Sequence, residues 1–155
     1  MTVFLLRHAK AGDREAWSDD DRLRPLSGRG HLQARVLVEL LRDATFDRIL
    51  SSPYVRCMET VVPIAGVRGM PVEPVEELSE AAPLDAAIAL VRKHAISGAL
   101  MCMHGDVLQM LLDYYAAAGI EIPAEREWPK GCVWTLETDN TGEIVRARYT
   151  PPPPA

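Results

Sequence analysis

The chain has 155 residues, of which 48% are hydrophobic and 25% are charged. This composition is average for soluble globular proteins and excludes a collagenous, low-complexity or disordered chain, and the length suits one domain rather than two. Acidic residues outnumber basic residues by 22 to 17, which gives a formal net charge of -5. We therefore expect no general nucleic-acid-binding or membrane-binding surface, and an anionic ligand would need a local positive pocket.

The cysteine pattern and the hydrophobic segments predict a cytoplasmic protein. Cys57, Cys102 and Cys132 are widely spaced and form no CxxC pair, so reduced thiols are expected. The apolar run Val3–Leu6 is too short for a secretion signal, and no apolar segment approaches the ~20 residues that span a bilayer. No HxH or HxxxH pair indicates a metal site, so neither a metal nor a cofactor is expected.

The first third of the chain contains strand and helix signals in alternation. Thr2–Leu6 is an aliphatic run typical of a buried strand, and residues 11–27 form a polar loop. Apolar residues recur at helical spacing from Gly28 to Arg42, with Gln33 outside the apolar stripe. The residues predicted to form this buried stripe are Leu32, Val36, Leu37, Leu40 and Leu41.

A second strand and helix are expected directly afterwards. Phe46–Leu50 resembles a strand, and Ser52 is of the residue type that caps a helix, with Pro53 as the first helical residue. This helix is predicted to end near Ala65.

The remaining elements continue the alternation and end in a hairpin. We predict strands at 72–75 and 99–103, an acidic loop at 76–83, helices at 84–98 and 107–118, and paired strands at 132–138 and 144–149. Strands that alternate with helices predict an α/β fold, a three-layer sandwich with a mostly parallel central sheet and helices on both faces. Residues 1–150 are expected to form a single domain, followed by an exposed, proline-rich tail at 151–155.

Polar residues follow three of the predicted strands, where ligands of α/β sheets usually bind. These segments are Arg7-His8, Ser51 to Arg56, and His104 to Asp106. Two histidines, two arginines and a helix N-terminus at one sheet edge would suit a phosphate dianion, because arginine presents a planar fork to phosphate oxygens.

The residue types at this edge indicate phosphoryl transfer. Neutral His8 could attack phosphorus and form a phosphoramidate, while His104 could donate hydrogen bonds to phosphoryl oxygens. The loop that contains Glu76, Glu77 and Glu80 offers carboxylates to protonate a leaving group.

Four segments, in order along the chain, resemble the signatures of the histidine phosphatase superfamily, which is phosphoglycerate-mutase-like in fold. Leu6-Arg7-His8-Ala9 resembles the RH(G/A) signature, and its RHA form is similar to that of small SixA-like phosphohistidine phosphatases. The other three segments are Arg24-Pro25-Leu26-Ser27 with Gly30, Ser51-Ser52-Pro53 with Arg56 and Thr60, and Met103-His104-Gly105-Asp106.

The resemblance implies a role for each matching residue. His8 would be phosphorylated transiently, and Arg7, Arg56 and His104 would bind the phosphoryl group. Leu78-Ser79-Glu80 resembles the LxE motif of the proton donor, which favours Glu80 over Glu77, although Ala81-Ala82-Pro83 departs from the usual context. Only 23 residues separate Glu80 from His104, which leaves no room for the covering segment of larger sugar-phosphate members.

The resemblance implies a metal-independent phosphatase, and an open site of this kind favours phosphohistidine in another protein as its substrate. A small phosphate ester is the second substrate class, and a mutase is disfavoured because nothing would shield the phosphoenzyme from water. A noncatalytic phosphate-binding module is the alternative from another class of function. The sequence does not predict the physiological substrate or the oligomeric state.

Overall fold

The computed structural model describes all 155 residues and contains one six-stranded sheet flanked by four helices. The strands are β1 (Thr2–Arg7), β2 (Ile49–Ser51), β3 (Val72–Pro74), β4 (Ala99–Met103), β5 (Val133–Thr138) and β6 (Ile144–Thr150). The helices are α1 (Gly28–Leu40), α2 (Val55–Arg68), α3 (Leu84–His94) and α4 (Gly105–Ala117), with short 3-10 turns at Asp21–Leu23 and Glu76–Leu78.

The sheet has the strand order β3-β2-β4-β1-β5-β6. Strands β3, β2, β4 and β1 are mutually parallel, whereas β5 pairs antiparallel with β1 and with β6. In the parallel part, Arg7 pairs with Met103 and Ser51 pairs with Cys102, so the carboxyl ends of β1, β4 and β2 lie side by side. The prediction of a mostly parallel sheet is confirmed.

Helices cover both faces of the sheet, as predicted for a three-layer sandwich. Alternate residues of β1 enter different cores because successive side chains of a strand point to opposite faces. Val3 and Leu5 pack in the core that includes α3 and α4. Phe4 and Leu6 pack in the core that includes α1 and α2. Both cores hold the ends of the parallel strands in a fixed relation to one another.

The predicted apolar stripe of α1 is wrong at three positions, because Leu32, Val36 and Leu40 are exposed. The buried side of α1 instead contains Gly30, Gln33, Ala34 and Leu37. The small residues Gly30 and Ala34 allow α1 to lie close to the segment after β1, which contains Lys10. Gln33 is buried because its side chain accepts a hydrogen bond from the Lys10 N–H and donates one to the Pro153 carbonyl.

The predicted start of α2 is also wrong, because this helix begins at Val55 and Ser52 does not cap it. Tyr54 occupies the N-cap position without a side-chain hydrogen bond. The Ser52 hydroxyl is instead 2.8 Å from the His104 ring. The helix continues past Ala65 and ends at Gly69, which has the left-handed conformation (φ 65°) that glycine adopts readily.

Two further expectations need correction. The strand predicted at Phe46–Leu50 is formed only from Ile49 onward; Phe46 lies before it and packs its ring edge-on against Phe4. The proline-rich tail is not exposed throughout, since Pro153 is buried and its carbonyl accepts the hydrogen bond from Gln33. No helix has both the length and the apolar character required to cross a membrane.

Two helical glycines provide a test of the close packing of α1. A Cβ atom at Gly30 would lie 1.9 Å from the Lys10 carbonyl oxygen, whereas a Cβ at Gly66 of α2 would meet nothing within 4 Å. Gly30→Ala should therefore lower the free energy of unfolding by about 1–3 kcal/mol through overpacking. Gly66→Ala should raise it by about 0.4–1 kcal/mol. Urea unfolding of both variants measures the difference, and equal effects would contradict the packing described.

Candidate active site

Three residues that directly follow parallel strands meet at one edge of the sheet. His8 follows β1, Ser52 follows β2 and His104 follows β4. The strand pairing places them side by side, and the His8 and His104 ring centroids are 5.5 Å apart. The sequence prediction that these strand ends converge is confirmed.

His8 is held as a neutral imidazole with one ring nitrogen free. It is 4% exposed, and its Nδ1 is 2.7 Å from the Ala9 carbonyl oxygen. A carbonyl only accepts, so Nδ1 carries the proton and Nε2 keeps its lone pair. Burial lowers the pKa of His8 well below its ordinary value, and the charges of His104, Arg56 and Arg7 lower it further, against the opposing effect of the Ala9 carbonyl.

Arg56, in the first turn of α2, is a buried cation between two carboxylates. Its side chain is 1% exposed, and Nη2 is 2.9 Å from Asp21 Oδ2 and 2.8 Å from Glu80 Oε2. Partial burial would raise the pKa of Asp21, but hydrogen bonds from Arg24 and Arg56 outweigh this effect and lower it. The Tyr54 ring lies 4.9 Å from the guanidinium carbon and completes the surroundings of Arg56.

Arg7 reaches the same edge below the N-terminus of α4. Its Nη1 donates a hydrogen bond of 2.7 Å to the Trp128 carbonyl. A Cβ at Gly105 would lie 2.8 Å from the Arg7 guanidinium carbon, so a larger residue at position 105 would displace the guanidinium group. Arg7 Nε and Arg56 Nε are both buried without a hydrogen-bond partner in the protein. Such groups are rare and often mark ligand sites, and an oxyanion would satisfy them.

The Ser52 hydroxyl orients His104, a contact that the sequence did not predict. Ser52 Oγ accepts a 3.3 Å hydrogen bond from the Tyr54 N–H and is 2.8 Å from His104 Nε2. A serine hydroxyl can both donate and accept, and His104 Nδ1, on the other side of the ring, is 4.0 Å from Glu80 Oε2. Cys57 Sγ lies 3.6 Å from the same Nε2 and packs behind the ring.

Of the two candidate proton donors, only Glu80 borders the site. Its Oε1 is 3.3 Å from Arg14 Nη2, and its Oε2 binds Arg56. Glu77 is exposed on the preceding 3-10 turn and does not line the cleft. Arg14 was predicted only as part of a polar loop, since nothing in its neighbours distinguishes it from a solvated residue. Asp21 belongs to the same predicted loop, and its neighbours likewise give no sign of a role in the site.

These side chains surround an open cleft of about 290 Å³. The residues that line it are Arg7, His8, Arg14, Arg56, Glu80, His104, Gly105, Asp106, Gln109 and Trp128. Three arginines face two carboxylates, so the lining carries a net charge of +1 in a chain whose net charge is -5. No cluster of three or more His, Cys, Asp or Glu side chains suited to a metal ion occurs in the 155 residues.

The match to a known family agrees with this geometry. The sequence profile of the histidine phosphatase superfamily (branch 1) matches residues 3–86, more than half of the chain. The chain therefore belongs to the histidine phosphatase superfamily, as the resemblance of its motifs predicted.

A curated relative is the 8-oxo-(d)GTP phosphatase of Mycolicibacterium smegmatis, which is 32% identical over 157 aligned positions. The alignment covers 98% of this chain but 48% of the relative. The chain thus spans about half the length of that protein.

Solved structures with the same fold include phosphatases with different named substrates. The protein histidine phosphatase SixA, complexed with tungstate, superposes with a TM-score of 0.74 at 20% identity, over 98% of this chain and 96% of that one. The α-ribazole phosphatase of Shigella flexneri gives 0.68 at 21% identity, over 94% of each chain. The fold is therefore shared by both kinds of enzyme and does not distinguish between their substrates.

The state of His8 can be tested by nuclear magnetic resonance. Because its pKa is lowered, His8 should remain neutral as the Nδ1–H tautomer at pH 6, where an ordinary histidine is largely protonated. Ring ¹⁵N shifts recorded between pH 5 and 8, with His8→Gln used for assignment, measure this directly. Protonation of His8 at or above pH 6.5 would contradict the arrangement.

Proposed function

We propose that this protein is a metal-independent phosphatase that forms a phosphohistidine intermediate on His8. The observation that carries the proposal is the neutral, buried His8, with a free Nε2, beside two arginines that each have an unsatisfied buried N–H. An imidazole nucleophile and paired guanidinium groups suit phosphoryl transfer, because the imidazole can attack phosphorus and the guanidinium groups stabilise the charge on its oxygens. The positive charge that other phosphatases obtain from metals is supplied here by arginine.

The proposed reaction has two displacements at phosphorus. In the first, the Nε2 lone pair of His8 forms the N–P bond, and the bond from phosphorus to the leaving group breaks with its electrons on that group. In the second, water attacks phosphorus and gives a proton to Glu80, which has donated its own to the leaving group in the first step, while the N–P electrons return to Nε2. Arg7, Arg56 and His104 bind the non-bridging oxygens in both steps.

Glu80 is the proposed proton donor. It accepts hydrogen bonds from Arg14 and Arg56 at the edge of the cleft. A phosphoryl group bound to Arg56 would therefore lie next to Glu80, and its leaving group could take a proton from the Glu80 carboxyl group.

Phosphohistidine in a partner protein is the substrate class that the open cleft favours. The cleft of about 290 Å³ accommodates a phosphoryl group and opens to solvent, so the rest of a phosphorylated protein could lie outside it. Phosphohistidine is a phosphoramidate, and hydrolysis of its N–P bond depends less on an acid that protonates the leaving group. The second candidate is a small phosphorylated molecule, which the 32% identity to an 8-oxo-(d)GTP phosphatase favours. A noncatalytic phosphate-binding module would keep the pocket without turnover.

Turnover of two probe substrates tests the proposal. We expect release of phosphate in the presence of a chelator from a phosphohistidine peptide or an aryl phosphate, with kcat/KM compared between them. His8→Ala should lower turnover by roughly a thousandfold or more and abolish the acid-labile phosphoenzyme, with unchanged circular dichroism. A wild-type protein that binds phosphate but turns over neither substrate would support the binding module instead.

The role of Glu80 is tested by the leaving group. Glu80→Gln should slow an alkyl phosphate by roughly a hundredfold and a nitrophenyl phosphate far less, because only the poor leaving group needs a proton. Glu77→Gln is the matched control, since Glu77 lies on the same segment but outside the cleft, and should leave both rates unchanged. Equal slowing of both substrates in Glu80→Gln would remove Glu80 as the acid.

A further inference from the structure

The residue directly after Glu80 has a left-handed backbone conformation although it is not a glycine. Ala81 has a φ of 64°, and the other residues with positive φ are glycines. A Cβ atom makes this conformation unfavourable, so such a residue keeps it only where the surrounding structure holds it. Strained residues of this kind cluster at functional sites, and here the strain lies beside the proposed proton donor.

Ala81 is the third residue of a tight turn that carries Glu80. The turn is closed by a hydrogen bond of 3.0 Å from the Ala82 N–H to the Ser79 carbonyl. A positive φ at the third position is typical of a type II turn, which usually has glycine or asparagine there. Leu78 and Ala82, on either side of the turn, are buried in the core. Packing therefore fixes both ends of the turn, whereas the peptide group between Glu80 and Ala81 depends on a further contact.

Asp106 supplies that contact from α4. Its Oδ2 accepts a hydrogen bond of 2.8 Å from the Ala81 N–H, and its Oδ1 accepts one of 2.9 Å from the Val107 N–H. Asp106 lies in the first turn of α4, where unpaired amides favour a carboxylate. A length of 2.8 Å is typical of a charge-assisted hydrogen bond. This bond fixes the peptide group that follows Glu80, and with it the backbone that carries the Glu80 side chain.

The same hydrogen bond joins the loop of the proton donor to the end of β4. Asp106 is two residues after His104, and both residues line the cleft together with Glu80. The Glu80 carboxylate is held by Arg56, but Arg56 is also proposed to bind phosphoryl oxygens and would then have a second partner. The Ala81 N–H and the Asp106 carboxylate take no part in the proposed reaction. Their hydrogen bond can therefore hold the Glu80 backbone both before and after substrate binds.

We propose that Asp106 is a positioning residue for the proton donor: through the Ala81 N–H it holds the strained turn that places Glu80 beside the leaving group. This inference rests on the proposed function, in which Glu80 protonates the leaving group. Asp106 acts in this role only on the backbone next to Glu80. Its effect is therefore confined to substrates whose leaving group needs a proton.

Phosphate release from an alkyl phosphate and from nitrophenyl phosphate tests this role. Asp106→Ala should lower kcat for the alkyl phosphate by roughly tenfold, because a displaced acid is no longer aligned with the leaving group. Turnover of nitrophenyl phosphate should change by less than about twofold. Asp106→Asn keeps an oxygen that can accept from the Ala81 N–H, so it should retain most of the alkyl phosphate rate. Asp113→Ala is the matched control and should change neither rate, since Asp113 lies on α4 and pairs with Arg126 outside the cleft.

A double-mutant cycle distinguishes positioning from a general structural role. If Asp106 acts through Glu80, adding Asp106→Ala to Glu80→Gln should slow the alkyl phosphate by less than about a further twofold, because the acid is already absent. A structural role would instead slow both substrates and would slow the Glu80→Gln variant further.

The outcomes separate this inference from the proposed function. Equal slowing of both substrates by Asp106→Ala, or effects of the two substitutions that multiply in the double variant, would overturn the positioning role while His8-dependent turnover is intact. A loss in Asp106→Asn as large as that in Asp106→Ala would also overturn it, since the carboxyl group of Asp106 would then act directly. Failure of the proposed function would appear as equal slowing of both substrates in Glu80→Gln, or as a wild type that releases no phosphate, and would overturn this inference with it.

Discussion

The buried charge of Arg56 is the constraint on which the rest of the site depends. A guanidinium with 1% exposure has to be paired, because an unpaired buried charge is strongly destabilising. Its two carboxylate partners come from distant loops: Asp21 from the segment before α1, and Glu80 from the segment before α3. One ion-pair network therefore joins both loops to the first turn of α2. The two loops border the cleft because their carboxylates neutralise the buried charge of Arg56.

The same network connects the charge of the site to its reactivity. Arg56 and Arg7 keep buried N–H groups without partners, and both contribute to the lowered pKa of His8. The two arginines that would bind a phosphoryl group thus also help to keep His8 neutral before the phosphoryl group arrives. Once a dianion binds, its charge opposes theirs, so the positive charge that forms on His8 during attack becomes less unfavourable. The proposed mechanism depends on this change in electrostatic surroundings rather than on a movement of the chain.

Site residues beside regular elements were predictable from the hydrophobic pattern, whereas on loops only Glu80, which a motif marks, was found. His8, Arg56 and His104 directly follow or begin regular elements, so hydrophobic periodicity was sufficient to bring them together. Arg14 and Asp21 lie on a loop, where no periodicity relates position in the chain to position in space. Ser52 was recognised as polar and helix-initiating, but its hydroxyl binds His104 instead of a helix amide. Similarly, α1 buries Gln33 rather than Leu32, because hydrogen bonds to Lys10 and Pro153 satisfy its amide.

Positions at strand ends and positions on loops differ in how freely they can change. His8 and His104 lie at strand ends, and phosphatases with different named substrates have the same fold. The segment that contains Trp128 is a loop, and backbone hydrogen bonds from Gly131 to Arg7 and His8 hold it against the strand end. A change of side chain on such a loop alters the charge around the cleft without disturbing the sheet or the position of His8.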